Sequence, residues 1–277
     1  MLTPDTVRKC VAFLGYEDKN VLRMAGSVFF LGREIEPGRA DIVYAVTALH
    51  VINGIRSKGS ADIHIRYNNR SDDAEWISTP AEQWFSHPTD SSIDVAILRI
   101  TLPRESDHLV WPYRLCGTEH LLKINEVGLG DEVFITGLFS NHHGKRRNIP
   151  IVRVGNIACF AEEKVYTKSF GAIDAHLIEA RSTGGLSGSP VILNLGNIRM
   201  NNGVVKTSAQ PILLLFGLIH GHYDSSFDSV KPSEVDMLET VTSERINTGI
   251  AIVVPFHKID EVITEYEKRE PKVVSSA

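Results

Sequence analysis

The chain has 277 residues, of which 43% are hydrophobic and 23% charged, with a formal net charge of −5. This balance suits a globular protein with a full core, and an acidic chain lacks the basic footprint of a nucleic-acid binder. No apolar run reaches the roughly 18 residues of a membrane span, so neither a nucleic-acid nor a membrane partner is expected.

Thr3-Pro4-Asp5 reads as a helix start, with a capping hydroxyl, a proline at the first helical position and an acid in the first turn. Val7, Cys10, Val11 and Leu14 follow at helical spacing, which predicts a short amphipathic helix to about Gly15. The pattern then turns to short apolar runs bounded by turn residues. Strands are predicted over 26–32, 42–51, 62–67, 94–100, 131–138, 149–160, 176–180, 190–194, 212–220 and 249–254. So many strands and so few helices argue for an all-β sandwich or barrel, and periodicity does not choose between them. Two segments stand apart from the strands. Residues 141–148 form a basic tip, either a solvated loop or a contact for an anionic partner. Residues 222–247 form a long polar, acidic connection, with a short helix expected over 234–244 and a role as lid or docking surface. From Pro255 to Lys268, the residues Phe256, Ile259, Val262, Ile263 and Tyr266 fall on one face of a terminal helix. A frayed tail is expected after it.

Cys10, Cys116 and Cys159 are an odd number of widely spaced thiols without a CxxC pair. The first ten residues lack a signal-peptide pattern. Both features point to a reducing, cytoplasmic setting in which the three thiols stay free and pack the core.

One stretch carries chemistry. In Gly184-Gly185-Leu186-Ser187-Gly188-Ser189-Pro190, glycines on both sides of a serine make a tight turn that holds one hydroxyl out. Such a turn also aims successive N–H groups at a point beside that hydroxyl, as acyl transfer requires. Upstream, an apolar run ends on His50, and Asp94 opens another. His, Asp and Ser thus occur in the order of the chymotrypsin group.

Thr47-Ala48-Leu49-His50, Asp94-Val95-Ala96-Ile97-Leu98 and Gly185-Leu186-Ser187-Gly188-Ser189-Pro190 resemble the three signature segments of chymotrypsin-fold, trypsin-like serine peptidases. The compact bacterial and HtrA-like branch without a PDZ module is the nearest flavour. Supporting matches lie at 25–32, 130–134 and 249–255, and the resemblance spans roughly residues 20–268. It implies two six-stranded antiparallel β-barrels, with the site in the cleft between them. The first would comprise residues 1–115 with the short N-terminal helix, His50 and Asp94. The second would comprise 116–277 with Ser187 and a C-terminal helix packed upon it. It implies a serine endopeptidase that needs no cofactor and no metal and acts on polypeptides. Ser187 would be the nucleophile, His50 the general base and Asp94 its orienting carboxylate. The N–H groups of Gly185 and Ser187 would form the oxyanion hole.

Two features depart from the family pattern. Secreted trypsin-like zymogens carry an aspartate before the nucleophile that pairs with a newly cut amino terminus. Leu186 has no such pairing group, so another interaction must hold the oxyanion loop. An activating protein partner, or a silent module serving as a binding scaffold, is the alternative this raises. Arg181 stands where the family places the base of the primary specificity pocket, and His220 lies on the strand expected to form its wall. If Arg181 faces the pocket it selects an acidic residue before the cleaved bond; otherwise it pairs with Glu179 or points to solvent. His220 and His222 share a strand face, but no third ligand of suitable spacing accompanies them, and no metal is assigned.

Overall fold

The computed structural model describes residues 5–36, 39–167, 170–180, 184–201, 203–225 and 246–269. The predicted capping segment at Thr3-Pro4, the pocket residue Arg181 and the expected helix over 234–244 lie outside them, as does the tail beyond Arg269.

The first half begins with α1 (Asp5–Lys9), β1 (Val11–Asp18), β2 (Val21–Glu36), β3 (Arg39–Thr47) and α2 (Leu49–Arg56). It continues through β4 (Asp62–Asn68), β5 (Ala74–Pro80), β6 (Phe85–Ser86), β7 (Ala96–Arg99) and β8 (Trp111–Pro112). These strands make one eight-stranded sheet in the order β5-β4-β1-β2-β3-β7-β6, with β8 pairing β2. The second half holds α3 (Glu119–Ile124), β9 (Glu132–Gly137), β10 (Ile151–Cys159), β11 (Val165–Thr167), β12 (Gly171–Ile173) and β13 (His176–Glu179). After these come β14 (Pro190–Asn194), β15 (Ile198–Asn201), β16 (Val204–Thr207), β17 (Leu213–Ser225), β18 (Ile246–Pro255) and α4 (Phe256–Arg269). Six of these strands close a barrel, β10-β13-β18-β17-β14-β9, while β11-β12 and β15-β16 stand off it as two hairpins. The architecture is all-β with a short helix near its start and a longer one at its end, as expected. The second barrel closes; in the first half β5 and β6 stay unpaired edges of one sheet.

Two local expectations are corrected. The helix predicted to Gly15 stops at Lys9, because Val11–Leu14 are buried on both faces and belong to a central strand between β2 and β4. The strand predicted to Val51 stops at Thr47, and His50 sits in the first turn of α2, whose Val51, Ile52 and Ile55 fill the core at helical spacing. The resemblance implies a terminal helix packed on the second barrel. Its buried residues Phe256, Ile259, Val262 and Ile263 join a cluster that takes in Leu215, Leu218 and Val254 of that barrel as well as the first sheet, so the helix packs against both halves. Tyr44 of β3 donates to Glu267 of α4, and Tyr113, just after β8, donates to Asp260 of α4. A third correction is chemical. Cys10 and Cys116 are buried as expected, but Cys159 is exposed, displaced outward by a bulge in β10.

Two histidines are embedded in this framework as neutral rings. Burial lowers His108, which packs edge-on against Phe30, to a pKa of about 4. Burial lowers His176, stacked on Phe216 with its Nδ1 accepting from Ala161 N–H, to about 4 as well. The unfolded chain binds these protons near pH 6.5, whereas the folded chain resists them until about pH 4. Stability contributed by the neutral rings is therefore complete above pH 6.5 and falls as pH drops from 6.5 to about 4. Urea unfolding midpoints measured across that window should decline steeply, and His176→Gln, which keeps a hydrogen-bonding group without the titration, should flatten the decline.

Candidate active site

The serine turn is built by close approach. Gly188 has φ +81°, and a Cβ there would lie 2.3 Å from both Ser27 O and Thr47 Oγ1. Only glycine lets the turn pass that near to β2 and β3. The turn is then tied on both sides. Ser27 N–H donates to Ser187 O at 3.0 Å, and Gly188 N–H donates to Ile219 O of β17 at 2.9 Å. Ser187 is thereby held between the two halves of the chain, half-buried.

The structure brings His50 and Asp94 together. His50 Nδ1 lies 2.7 Å from Asp94 Oδ2, and His50 N–H donates to Asp94 Oδ1 at 2.8 Å. Asp94 thus caps the first turn of α2, which has no side-chain cap from Ala48. A rigid turn delivers it: Ser92 donates both N–H and Oγ–H to Asp90 Oδ1, and Ile93 and Val95 are buried on either side. Asp94 itself is 0% exposed. Burial opposes its ionisation, but the charge of His50 and the hydrogen bonds from His220 and His50 outweigh that, holding the carboxyl well below the usual carboxylate range.

His220 is not simply a wall of a pocket. Its Nδ1 lies 2.5 Å from Asp94 Oδ2, the same oxygen that His50 meets. Its ring stands edge-on to His50 at 5.3 Å and to Phe170 at 5.7 Å. An ionised carboxylate only accepts, so both imidazoles donate their Nδ1 proton to it. Ser187 Oγ donates to His220 O at 3.3 Å, and among the described residues it makes no hydrogen bond to His50. Catalytic hydrogen bonds are often long or poorly aligned in unliganded sites.

Among the described residues the loop beside Ser187 is held without an ion pair. Leu186 is fully buried in the core of the second barrel. Ser27 Oγ–H donates to Gly185 O at 2.9 Å while accepting from Leu138 N–H at 2.8 Å, and Ser140 Oγ–H donates to Gly184 O at 3.0 Å. These contacts fix the Gly184 and Gly185 carbonyls facing inward, with Gly185 at φ +97°. The N–H groups of Gly185 and Ser187 meet no acceptor among the described residues.

The basic tip over 141–148 is neutralised internally. Arg146 pairs with Asp73 at 2.7 Å, and Arg147 pairs with Asp72 and reaches Asp107 at 3.8 Å.

No family model matches the chain, and no curated protein matches its sequence. Solved structures do match its fold. The apo protease domain of MamO from Magnetospirillum magneticum is 16% identical with a TM-score of 0.53, over 92% of this chain and 96% of that one. Deg5 is 13% identical with a TM-score of 0.51, over 94% of this chain and 90% of that one. The Drosophila clip serine protease Grass of the Toll pathway is 13% identical with a TM-score of 0.52, over 96% of this chain and 71% of that one. The chain has the chymotrypsin fold of the trypsin-like serine proteases.

Ser27 links the two halves at this loop. Ser27→Ala leaves the buried Leu138 N–H and Gly185 carbonyl without their partner, and should lower the unfolding free energy by about 1–3 kcal/mol in urea titrations.

Proposed function

We propose that the protein is a serine endopeptidase that cleaves polypeptides through an acyl-enzyme. The observation that carries this is the buried, ionised Asp94 gripping His50 through Nδ1 and N–H at 2.7 and 2.8 Å, beside a serine held out by a glycine turn. Asp94 keeps His50 in the tautomer with a free Nε2, the atom that takes a proton from Ser187. Ser187 Oγ adds to the scissile carbonyl, and the N–H groups of Gly185 and Ser187 receive the oxyanion. Each such donor is worth on the order of 3 kcal/mol in the transition state. His50 then returns the proton to the leaving amine, and water repeats the sequence on the acyl-enzyme.

An extended peptide has a place to lie. The pairing of β17 with β14 ends at Leu218, and from Gly221 onward that edge of β17 carries no paired strand among the described residues. A substrate strand added there passes beside Ser187. Because Leu186, Ser27 and Ser140 already hold the oxyanion loop, the reading requires neither a cut amino terminus nor an activating partner.

A fluorophosphonate probe should label the wild-type chain and leave Ser187→Ala unlabelled; equal labelling of the two removes Ser187 from the nucleophile's role. On a casein or peptide-library substrate, Ser187→Ala should retain only the residual acceleration of binding and oxyanion stabilisation, about 10³–10⁴ over water.

A further inference from the structure

We propose that His50, Asp94 and His220 form a binding site for one Zn²⁺ ion, and that occupying it switches the peptidase off. The inhibitory half rests on the peptidase reading above; the metal site itself does not.

Acid–base catalysis needs one imidazole on the aspartate, and here there are two. Both Nδ1 atoms converge on a single oxygen, Asp94 Oδ2, at 2.7 Å from His50 and 2.5 Å from His220. The ligand atoms of the three residues all lie within 4.8 Å of one another. Two imidazoles and a carboxylate are a donor set suited to zinc, with one position of the tetrahedron left for solvent. Zinc bonds of roughly 2.0–2.2 Å place donor atoms about 3.3 Å apart. The two N···O pairs therefore need to widen by about 0.6 and 0.8 Å. The ligands stand on three braced elements, the first turn of α2, the turn before β7, and β17, so little ordering remains to be done on binding. The His50 side chain is 29% exposed, which gives an ion its route to an otherwise buried site.

The consequence for chemistry follows from the tautomer. A neutral imidazole bound to metal through Nδ1 carries its only N–H on Nε2. His50 then has no lone pair facing Ser187 and cannot take its proton. Zinc need not touch the serine to stop the reaction.

The closing experiment separates binding from activity. Zn²⁺ is titrated by calorimetry into the full-length Ser187→Ala variant, which keeps all three ligands, and Co²⁺ is added as a spectroscopic probe of coordination. Expected are one ion per chain, a tetrahedral Co²⁺ spectrum, and affinity at least about tenfold weaker in His220→Asn and in His50→Asn. Circular dichroism confirms that each variant is folded. The exposed His142 and its neighbour His143 offer an adventitious alternative. Binding that vanishes in the His142→Asn/His143→Asn variant but survives in His220→Asn overturns the proposal, and so does the absence of binding to folded Ser187→Ala at micromolar Zn²⁺. In the wild type, Zn²⁺ should suppress fluorophosphonate labelling and EDTA should restore it. Labelling that continues with the site filled overturns the switch. A metal-free wild type that never labels refutes the peptidase reading instead, and leaves the metal site to be judged by the titration alone.

Discussion

A carboxylate with no access to water has to find its solvation inside the protein, and the site is arranged around that requirement for Asp94. Its two oxygens take one backbone N–H and two imidazole N–H groups. Removing any of them leaves an ionised group in low dielectric with less to hold it, which is far costlier than losing an exposed ion pair. His50 reaches Asp94 from α2, within the first half, and His220 reaches it from β17 of the closed barrel. The carboxylate that holds the His50 imidazole therefore also registers one half of the fold against the other, through His220. Site and interface are one structure, and a displacement between the halves is felt first at the carboxylate.

The serine loop obeys a second constraint. Inward-facing carbonyls at Gly184 and Gly185 need donors, and Ser140 and Ser27 supply hydroxyls. Leu186, just before Ser187, is apolar and buries itself in the barrel core. Packing of this kind is in place as soon as the chain folds, which makes the conformation of the loop a property of the fold.

What was legible in the sequence was local. The glycine-flanked serine announces itself because a tight turn needs those residues wherever it occurs. Strands with polar flanks, such as β4, β9, β13 and β14, emerge from the apolar pattern alone. The terminal helix also emerges, since a fourteen-residue amphipathic segment has one natural conformation. The rest depended on neighbours. Val11–Leu14 have an apolar run that suits helix or strand, and only burial on both faces decides. Leu49–Arg56 continue an apolar strand without a break, and the turn to helix is set by Asp94 capping it from a distant loop. His220 was legible as a residue near the cleft, but not as a second partner of Asp94. The contact joins residues 126 apart in sequence, and its only local trace is a histidine on a strand. The arginines at 146 and 147 illustrate the same limit, for their charge is cancelled by Asp72, Asp73 and Asp107, which the sequence leaves far away.

That last loop shows how magnitudes decide between effects. The Arg146–Asp73 and Arg147–Asp72 pairs are exposed, and such pairs contribute about 0–1 kcal/mol each. Beneath them, Arg66 of β4 is 6% exposed and donates to the carbonyls of Gly144 and Lys145 at 2.9 and 2.7 Å. Asn68 and Asn148 are buried and bond reciprocally: Asn148 N–H donates to Asn68 Oδ1 and Asn68 Nδ2 donates to Asn148 O. Charge-assisted and buried hydrogen bonds are the stronger class and the costlier to break. The loop is therefore placed by Arg66 and the asparagine pair, and the surface arginines only cover it. Because the loop begins at Leu138 and Ser140, whose backbone and hydroxyl hold Ser27 and Gly184, the placement is passed on to the loop beside Ser187. A guanidinium on β4, distant from Ser187 in the chain, thus bears on the hydrogen bonds that hold the Gly184 and Gly185 carbonyls.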